Sequence, residues 1–435
     1  MYKKLLFFFV LFTTVAVNAQ WVQTNGPYGG NVTCLAFKGT DLFAGISVGV
    51  YLSTNNGASW TAANTGLPGH TVLSLAMGAT GDLFCGTNGG GIYISTNNGT
   101  SWTADTAGLT NNGISSIAVN GTNLFAGTNG GGIFLSTNNG TNWTPVNNGL
   151  SNSNSMYVSS LVVSPTGTGD TNLFAGTEAG IYLSTNNGTS WTSVLSGNGD
   201  TYQLVVSSNG TGGTNLFAGF SLDGGTLGGG ITLSTNNGTS WTSIDLGYTG
   251  TGGCLSLAAI PNDTGVVSIY AGMYPDSANY NPGGGVFVST NNGKSWTAVN
   301  SGLPDDEEVR SLAVSGTNLF AGTSGSGVWM RPISEMITGV TGNHDNLPAN
   351  YSLQQNYPNP FNPSTTIKYS VPKTSLVTIK VYNVLGKEIA TLVNEEKSAG
   401  NYSVQFTGSK LSSGVYFYRM QADSFVQTKK LLLLK

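Results

Sequence analysis

The chain has 435 residues, of which 63 are glycine and only 8% carry a charged side chain. Globular domains average about 25% charged residues, so an ordinary helical enzyme is excluded, and the regular recurrence of Leu, Val, Ile and aromatic residues excludes disorder. Charge is unevenly spread: Gln20 to Pro332 holds 4 basic and 14 acidic residues, a net of −10, and Tyr351 to Lys435 holds 10 and 4, a net of +6. The acidic part argues against nucleic acid, which is bound by cationic surfaces. All these features read as all-β.

Residues 1–19 have the layout of a secretory signal peptide. Lys3 and Lys4 are followed by the apolar run from Leu5 to Val17 and the small-residue site Val17-Asn18-Ala19. Cleavage between Ala19 and Gln20 is expected, and the apolar run is shorter than the roughly 20 residues a spanning helix needs. Cys34, Cys85 and Cys254 match neither a zinc site nor a redox pair. Cys34 stands where sister repeats carry Ser74, Ser116 and Ser160, and Cys85 where they carry Ala126 and Ala175, and the cysteines read as small core residues.

The next segment repeats. Ser-Thr-Asn-Asn-Gly-x-x-Trp starts at Ser53, Ser95, Ser136, Ser184, Ser234 and Ser289. A Leu-Phe-Ala-Gly string or a close variant precedes each copy, beginning at Leu42, Leu83, Leu124, Leu173, Leu216 and Ile269, and a seventh begins at Leu319 with no Trp string after it. Each unit reads as four short strands, as in Ile114–Val119, Leu124–Gly127, Ile133–Ser136 and Trp143–Val146. Four strands in roughly 45 residues make one propeller blade. The last unit lacks its fourth strand, and Trp21-Val22-Gln23 looks like the strand that follows each Trp string. A seven-bladed β-propeller over 20–332 is expected, its ring closed by Trp21. Closure removes the free sheet edges that so few charges could not protect.

The repeated string resembles the Asp box of sialidases, sortilin-type propellers, xyloglucan-active glycosidases and photosystem II assembly-factor propellers, with Asn at the Asp position in every copy. In Ser53, Asn55, Gly57 and Trp60 we read a hairpin: Asn55 accepts a turn amide, Gly57 takes positive φ, and Trp60 packs back onto its blade. Trp102, Trp143, Trp191, Trp241 and Trp296 are its equivalents. Neutral Asn is a poor calcium ligand, and the resemblance implies boxes that are structural. No metal and no cofactor is expected. Sialidases hold the substrate carboxylate with three arginines, and Gln20 to Pro332 contains two, Arg310 and Arg331; no catalytic set can be assembled.

A ligand site would lie on the face opposite the boxes, where departures from the repeat collect. The candidates there are His70, Glu178, Tyr202, Tyr274, Tyr280, the run Asp305, Asp306, Glu307 and Glu308, and Arg310. The bland alternative is tolerated loop drift and a solvated acidic turn.

Residues 333–350 read as a linker. The segment from Tyr351 to Pro363 then contains Pro358, Asn359, Pro360, Phe361, Asn362 and Pro363, followed by Gly386, Gly400, Gly414 and Tyr416 at turns and strand starts and a basic end at Lys429 and Lys430. Over 351–435 these motifs resemble the type A sorting domain of the type IX secretion system. Bottom-up, the segment is a small immunoglobulin-like β-sandwich with strands at Thr366–Val371, Leu376–Val381, Glu388–Asn394, Gly400–Phe406, Gly414–Ala422 and Ser424–Leu433. The resemblance implies passage through the Sec translocon, then the type IX outer-membrane translocon, with a processing peptidase cutting in the linker. The expected protein is a monomeric surface or secreted propeller that binds an extracellular glycan or protein. An extracellular carbohydrate-active enzyme is the alternative.

Overall fold

Leu42, Phe43 and Ala44 are buried on both faces of their strand, which is what a strand sandwiched between two blades requires. The same holds at each later copy of the string. The computed structural model describes residues 20–434 except 28–29, 167–170, 198–199, 210–212, 221–229, 245, 247–252, 262–265, 275–283, 338–350, 357, 374, 398–399, 410 and 424. Residues 1–19 with Ala19, and Tyr280, lie outside the described residues, as does the greater part of the linker.

Seven antiparallel sheets of four strands follow one another in the first unit. Blade 1 is Val32–Lys38, Asp41–Ile46, Gly49–Ser53 and Thr61–Ala62, from the innermost strand A to the outermost strand D. Blade 3 is Ile114–Asn120, Asn123–Thr128, Ile133–Ser136 and Thr144–Pro145. Blade 7 takes Val309–Ser315, Asn318–Thr323 and Val328–Pro332 from one end of the unit and Val22–Gln23 from the other, with Val22 paired to Met330. Strand A of each blade packs on strand A of the next, and that of blade 7 packs on that of blade 1. The glycine of each Leu-Phe-Ala-Gly string lies under the next blade: a Cβ on Gly45 would fall 2.6 Å from Val72 Cγ1.

In each box the first serine accepts the box-glycine amide, as in Gly57 N to Ser53 Oγ at 2.8 Å. Asn55 Oδ1 accepts Ser59 N at 2.9 Å, and Asn55 Nδ2 donates to Ser59 Oγ. The polar atoms of Asn55 are thus engaged within the turn. Both Gly57 and Asn56 have positive φ, at 85° and 55°, and every other copy repeats the pair.

The box tryptophans differ from expectation. They pack on the preceding blade and not simply back onto their own. Trp102 Nε1 donates to Ala63 O at 2.8 Å, Trp143 Nε1 to Asp105 O at 3.1 Å and Trp191 Nε1 to Val146 O at 2.9 Å. Each acceptor lies three residues beyond the previous blade's tryptophan. Trp21 follows the same rule: Nε1 donates to Val299 O at 2.6 Å and its amide to Ser301 O at 2.8 Å. It joins blade 7 to blade 6 and is 1% exposed. Trp60, Trp241 and Trp296 are half-buried; Trp60 Nε1 reaches Thr24 Oγ1 at 3.2 Å and Trp296 Nε1 turns to Gly293 O in its own box.

A further string escaped the sequence reading. Gly66, Gly108, Gly149 and Gly302, each followed by Leu, stand six residues after a box tryptophan at φ between 88° and 97°. A Cβ on Gly66 would lie 2.1 Å from Trp102 O. The glycine is the platform on which the next tryptophan's backbone rests, and the recurrent Gly-Leu pair was the available signal.

The linker also begins later than expected. Ile333–Ile337 is a short helix, and Met336 is fully buried with Trp21, Tyr270 and Val309. An apolar side chain that seals the ring closure belongs to the propeller unit.

The second unit is a two-sheet sandwich. One sheet has the order Ser352–Leu353, Ser364–Val371, Gly400–Thr407, and the other Glu388–Lys397, Ser375–Tyr382, Gly414–Ala422, Phe425–Leu433. Alternation puts Ile367, Val377, Ile379, Tyr418 and Leu431 into its core.

Candidate functional site

The second residue of every strand A sits at a register shift: Thr33, Leu73, Ser115, Ser159, Tyr202, Leu255 and Arg310. A bulge re-aims its side chain, and here all seven side chains line the central channel. Where the residue is a hydroxyl it stitches blades together. Thr33 Oγ1 donates to Gly45 O and approaches Val72 O of blade 2; Ser115 does the same to Gly127 O and Val158 O, and Ser159 to Gly176 O and Thr201 O. Below them Cys34, Ser74, Ser116, Ser160, Gln203 and Ser311 line the channel, a space of about 240 Å³.

On the face opposite the boxes a cleft of about 220 Å³, sharing Leu73, Ser115, Ser159 and Tyr202 with the channel, spans blades 2 to 5. It brings together Glu178 and Tyr202 from the expected candidates with Tyr157, Asp200 and Asn129, which the sequence reading did not single out. Glu178 sits in the turn between strands B and C of blade 4, and its amide donates to Tyr157 O at 3.3 Å. Burial, and then the negative charge of Asp200, holds its carboxyl above the usual range. Tyr157 stands 39% exposed beside Gly130. The cleft thus has two aromatic sides, two carboxylates and an apolar contribution from Leu73 and Val158.

The remaining candidates do not join it. His70 packs against the glycine turn at Gly90 in blade 2. Tyr274 is exposed at the end of its strand in blade 6. Arg310 lies at the channel, tied to Glu308 at 2.7 Å. Asp305 and Asp306 are exposed, but Glu307 is not a ligand-face group: it is buried, and Ser326 Oγ donates to its Oε2 at 2.8 Å. Asp306, at φ 57°, turns the chain so that the next residue points inward. Cys85 and Cys254 are fully buried; burial pushes the Cys34 thiol up to about 12 and raises the other two. Among the described residues no group of three or more His, Cys, Asp or Glu could hold a metal ion.

In the sandwich, the proline-rich motif clasps the last strand. Phe361 is 2% exposed in the core, its amide donates to Leu432 O at 2.9 Å, and its carbonyl accepts Leu434 N at 3.0 Å. Asn359 Oδ1 accepts Leu432 N at 2.9 Å, and Gln355 Nε2 donates to Lys430 O at 2.6 Å. Buried Asn356 donates to Thr365 Oγ1 and Pro358 O while its own amide donates to the Tyr418 hydroxyl. Asn362 and Pro363 lead into Ser364–Val371, and Pro363 O accepts Gly408 N at 2.8 Å. Gly386 turns at φ 76° after Asn383, Gly400 and Gly414 open strands, and Tyr416 Oη donates to Ser412 O. Lys429 and Lys430 lie on the final strand.

No curated protein matches the sequence. In fold the chain is similar to the GH74 xyloglucanase from Xanthomonas campestris, at 18% identity and TM-score 0.55, covering 73% of this chain and 54% of that one. It is similar to YCF48 from Cyanidioschyzon merolae at 16% identity and TM-score 0.52, covering 73% and 99%. It is also similar to the Niastella koreensis GH74 enzyme at 15% identity and TM-score 0.54, covering 96% and 75%. The chain therefore spans about half the length of the Xanthomonas enzyme, and at these identities the likeness is one of fold. Residues 355–434 match the secretion system C-terminal sorting domain, so the chain joins a β-propeller to a sorting domain of the type IX pathway, which implies secretion or attachment to the outer cell surface.

Proposed function

We propose that the propeller is a non-catalytic binding module and that it engages an extracellular glycan or protein through the cleft across blades 2 to 5. The observation that carries this reading is the convergence of Tyr157, Tyr202, Glu178 and Asp200 on one concavity, on the face free of box hairpins. Aromatic faces with a few polar groups are the usual make-up of a recognition site. A glycan array and a surface-protein pull-down with the mature chain test it. A ligand whose affinity survives Tyr157→Ala combined with Tyr202→Ala would remove the cleft from consideration.

A second reading, a carbohydrate-active enzyme, is favoured by one observation. A carboxyl held above its usual range beside a second carboxylate is what general-acid chemistry on a glycosidic bond uses. Release of reducing ends from bound polysaccharide, abolished by Glu178→Gln, would favour it over binding alone. Sialidase chemistry lacks support: Arg331 is buried with Nη1 on Val299 O, and Arg310 is paired with Glu308.

A further inference from the structure

The cleft's chemistry narrows its ligand, an argument that rests on the ligand-face reading above. We propose that the cleft takes a single lysine or arginine side chain presented by an extracellular partner protein. Both charged groups in its lining, Glu178 and Asp200, are acidic. Arg310, the basic residue in the channel lining, is already tied to Glu308 at 2.7 Å. A guest cation would offset the repulsion between Glu178 and Asp200 and favour the charged carboxylate.

Hydrogen-bond inventory favours a basic side chain over a sugar. Ser115 and Ser159 in the cleft lining direct their hydroxyl protons at the carbonyls of Gly127 and Val158, and of Gly176 and Thr201. Those hydroxyls have no proton left for a ligand and the carboxylates accept, so the lining's other donors are the amide of Asn129 and the hydroxyls of Tyr157 and Tyr202. Lysine and arginine carry donors alone and so match the two carboxylates, whereas the accepting lone pairs of a sugar would have to share the few donors of Asn129 and the tyrosines. Tyr157 and Tyr202 supply ring faces for a cation, and Leu73 and Val158 supply apolar surface for its methylene stem. About 220 Å³ suits one long side chain and not a folded segment. The net −10 between Gln20 and Pro332 draws a basic partner toward the propeller.

The test uses the mature chain and four probes in calorimetric titrations: acetyl-Gly-Lys-Gly-amide, its Arg and Gln counterparts, and an uncharged N-acetylglucosamine trimer. The Lys and Arg peptides should bind at least about tenfold more tightly than the Gln peptide, and Glu178→Gln or Asp200→Asn should weaken them roughly five- to tenfold. Tyr157→Ala should weaken them about threefold, and Asp305→Asn should leave them unchanged. Equal binding of the Gln peptide, or Lys-peptide binding indifferent to Glu178→Gln and Asp200→Asn, overturns the inference. So does the absence of peptide binding. An N-acetylglucosamine trimer that binds alone, and is lost in Tyr157→Ala, overturns the inference while leaving the ligand-face reading standing. That reading fails separately, if an array-identified ligand keeps its affinity in the double tyrosine variant.

Discussion

Replacing Trp21 probes the closure of the ring more directly than any other single change. The side chain is 1% exposed, its Nε1 donates to Val299 O at 2.6 Å, and it packs with Tyr270, Val309 and Met336. An aromatic of this kind buries about 150–250 Å², which at about 25 cal/mol per Å² is roughly 4–6 kcal/mol of transfer free energy. Measured Trp-to-Ala losses in cores run about 3–5 kcal/mol, and we expect Trp21→Ala to fall in that range. Trp21→Phe keeps most of the apolar burial and gives up the hydrogen bond, so it should cost about 1–2 kcal/mol. Denaturant unfolding of the chain from Gln20 onward, followed by far-UV circular dichroism, reads both. The sandwich transition serves as the internal control, since the sandwich has its own core. A propeller midpoint unchanged in Trp21→Ala would refute the view that this residue joins blades 6 and 7. Equal losses in the Phe and Ala variants would refute the division between burial and hydrogen bond.

Tyr270 stands where six sister strands carry Phe; it is fully buried, its hydroxyl has no partner among the described residues, and burial pushes its pKa up to about 12. Tyr270→Phe should therefore stabilise the propeller by about 1–2 kcal/mol, read as a higher denaturant midpoint. Asp105 occupies the position held by Ala63, Val146 and Val299 in other blades, and burial raises its carboxyl above the usual range. A raised carboxyl contributes stability below its unfolded pKa and loses it as pH rises through the folded value. Asp105→Asn should thus be the more stable protein at pH 7, with the difference closing as pH falls toward about 4; a gap independent of pH would contradict this. Gly66→Ala forces a Cβ against Trp102 O at φ 89° and should lower the thermal midpoint, with a cost of about 2 kcal/mol or more. Removing residues 351–435 should leave the propeller in the periplasm, visible by cell fractionation, because the sorting domain lies there.

Much of this protein follows from local pattern. Strings of apolar residues flanked by Asn-Gly turns specify short strands, and their recurrence specifies blades, because neither depends on anything beyond neighbouring residues. The unpaired end of the last unit and the lone Trp21 together predicted ring closure in the same way. The strands of the sandwich were legible to within two or three residues, since one face of each is buried.

Other features were decided only by tertiary structure. A tryptophan's position in its own hairpin does not say that it rests on the preceding blade, because that contact depends on how successive blades are rotated about the ring. The cleft draws Leu73 from blade 2, Tyr157 and Glu178 from the two loops of blade 4, and Asp200 from the entry to blade 5, and no spacing in the chain encodes their meeting. Glu307 reads as one of four solvated acids, yet the left-handed turn at Asp306 directs it inward to Ser326. Likewise Asn359 and Gln355 appear as turn residues in the chain, and become a clasp because folding lays them beside the edge strand Phe425–Leu433 and its unpaired amides and carbonyls. Local chemistry thus determined which elements form, and long-range packing determined which side chains those elements bring together.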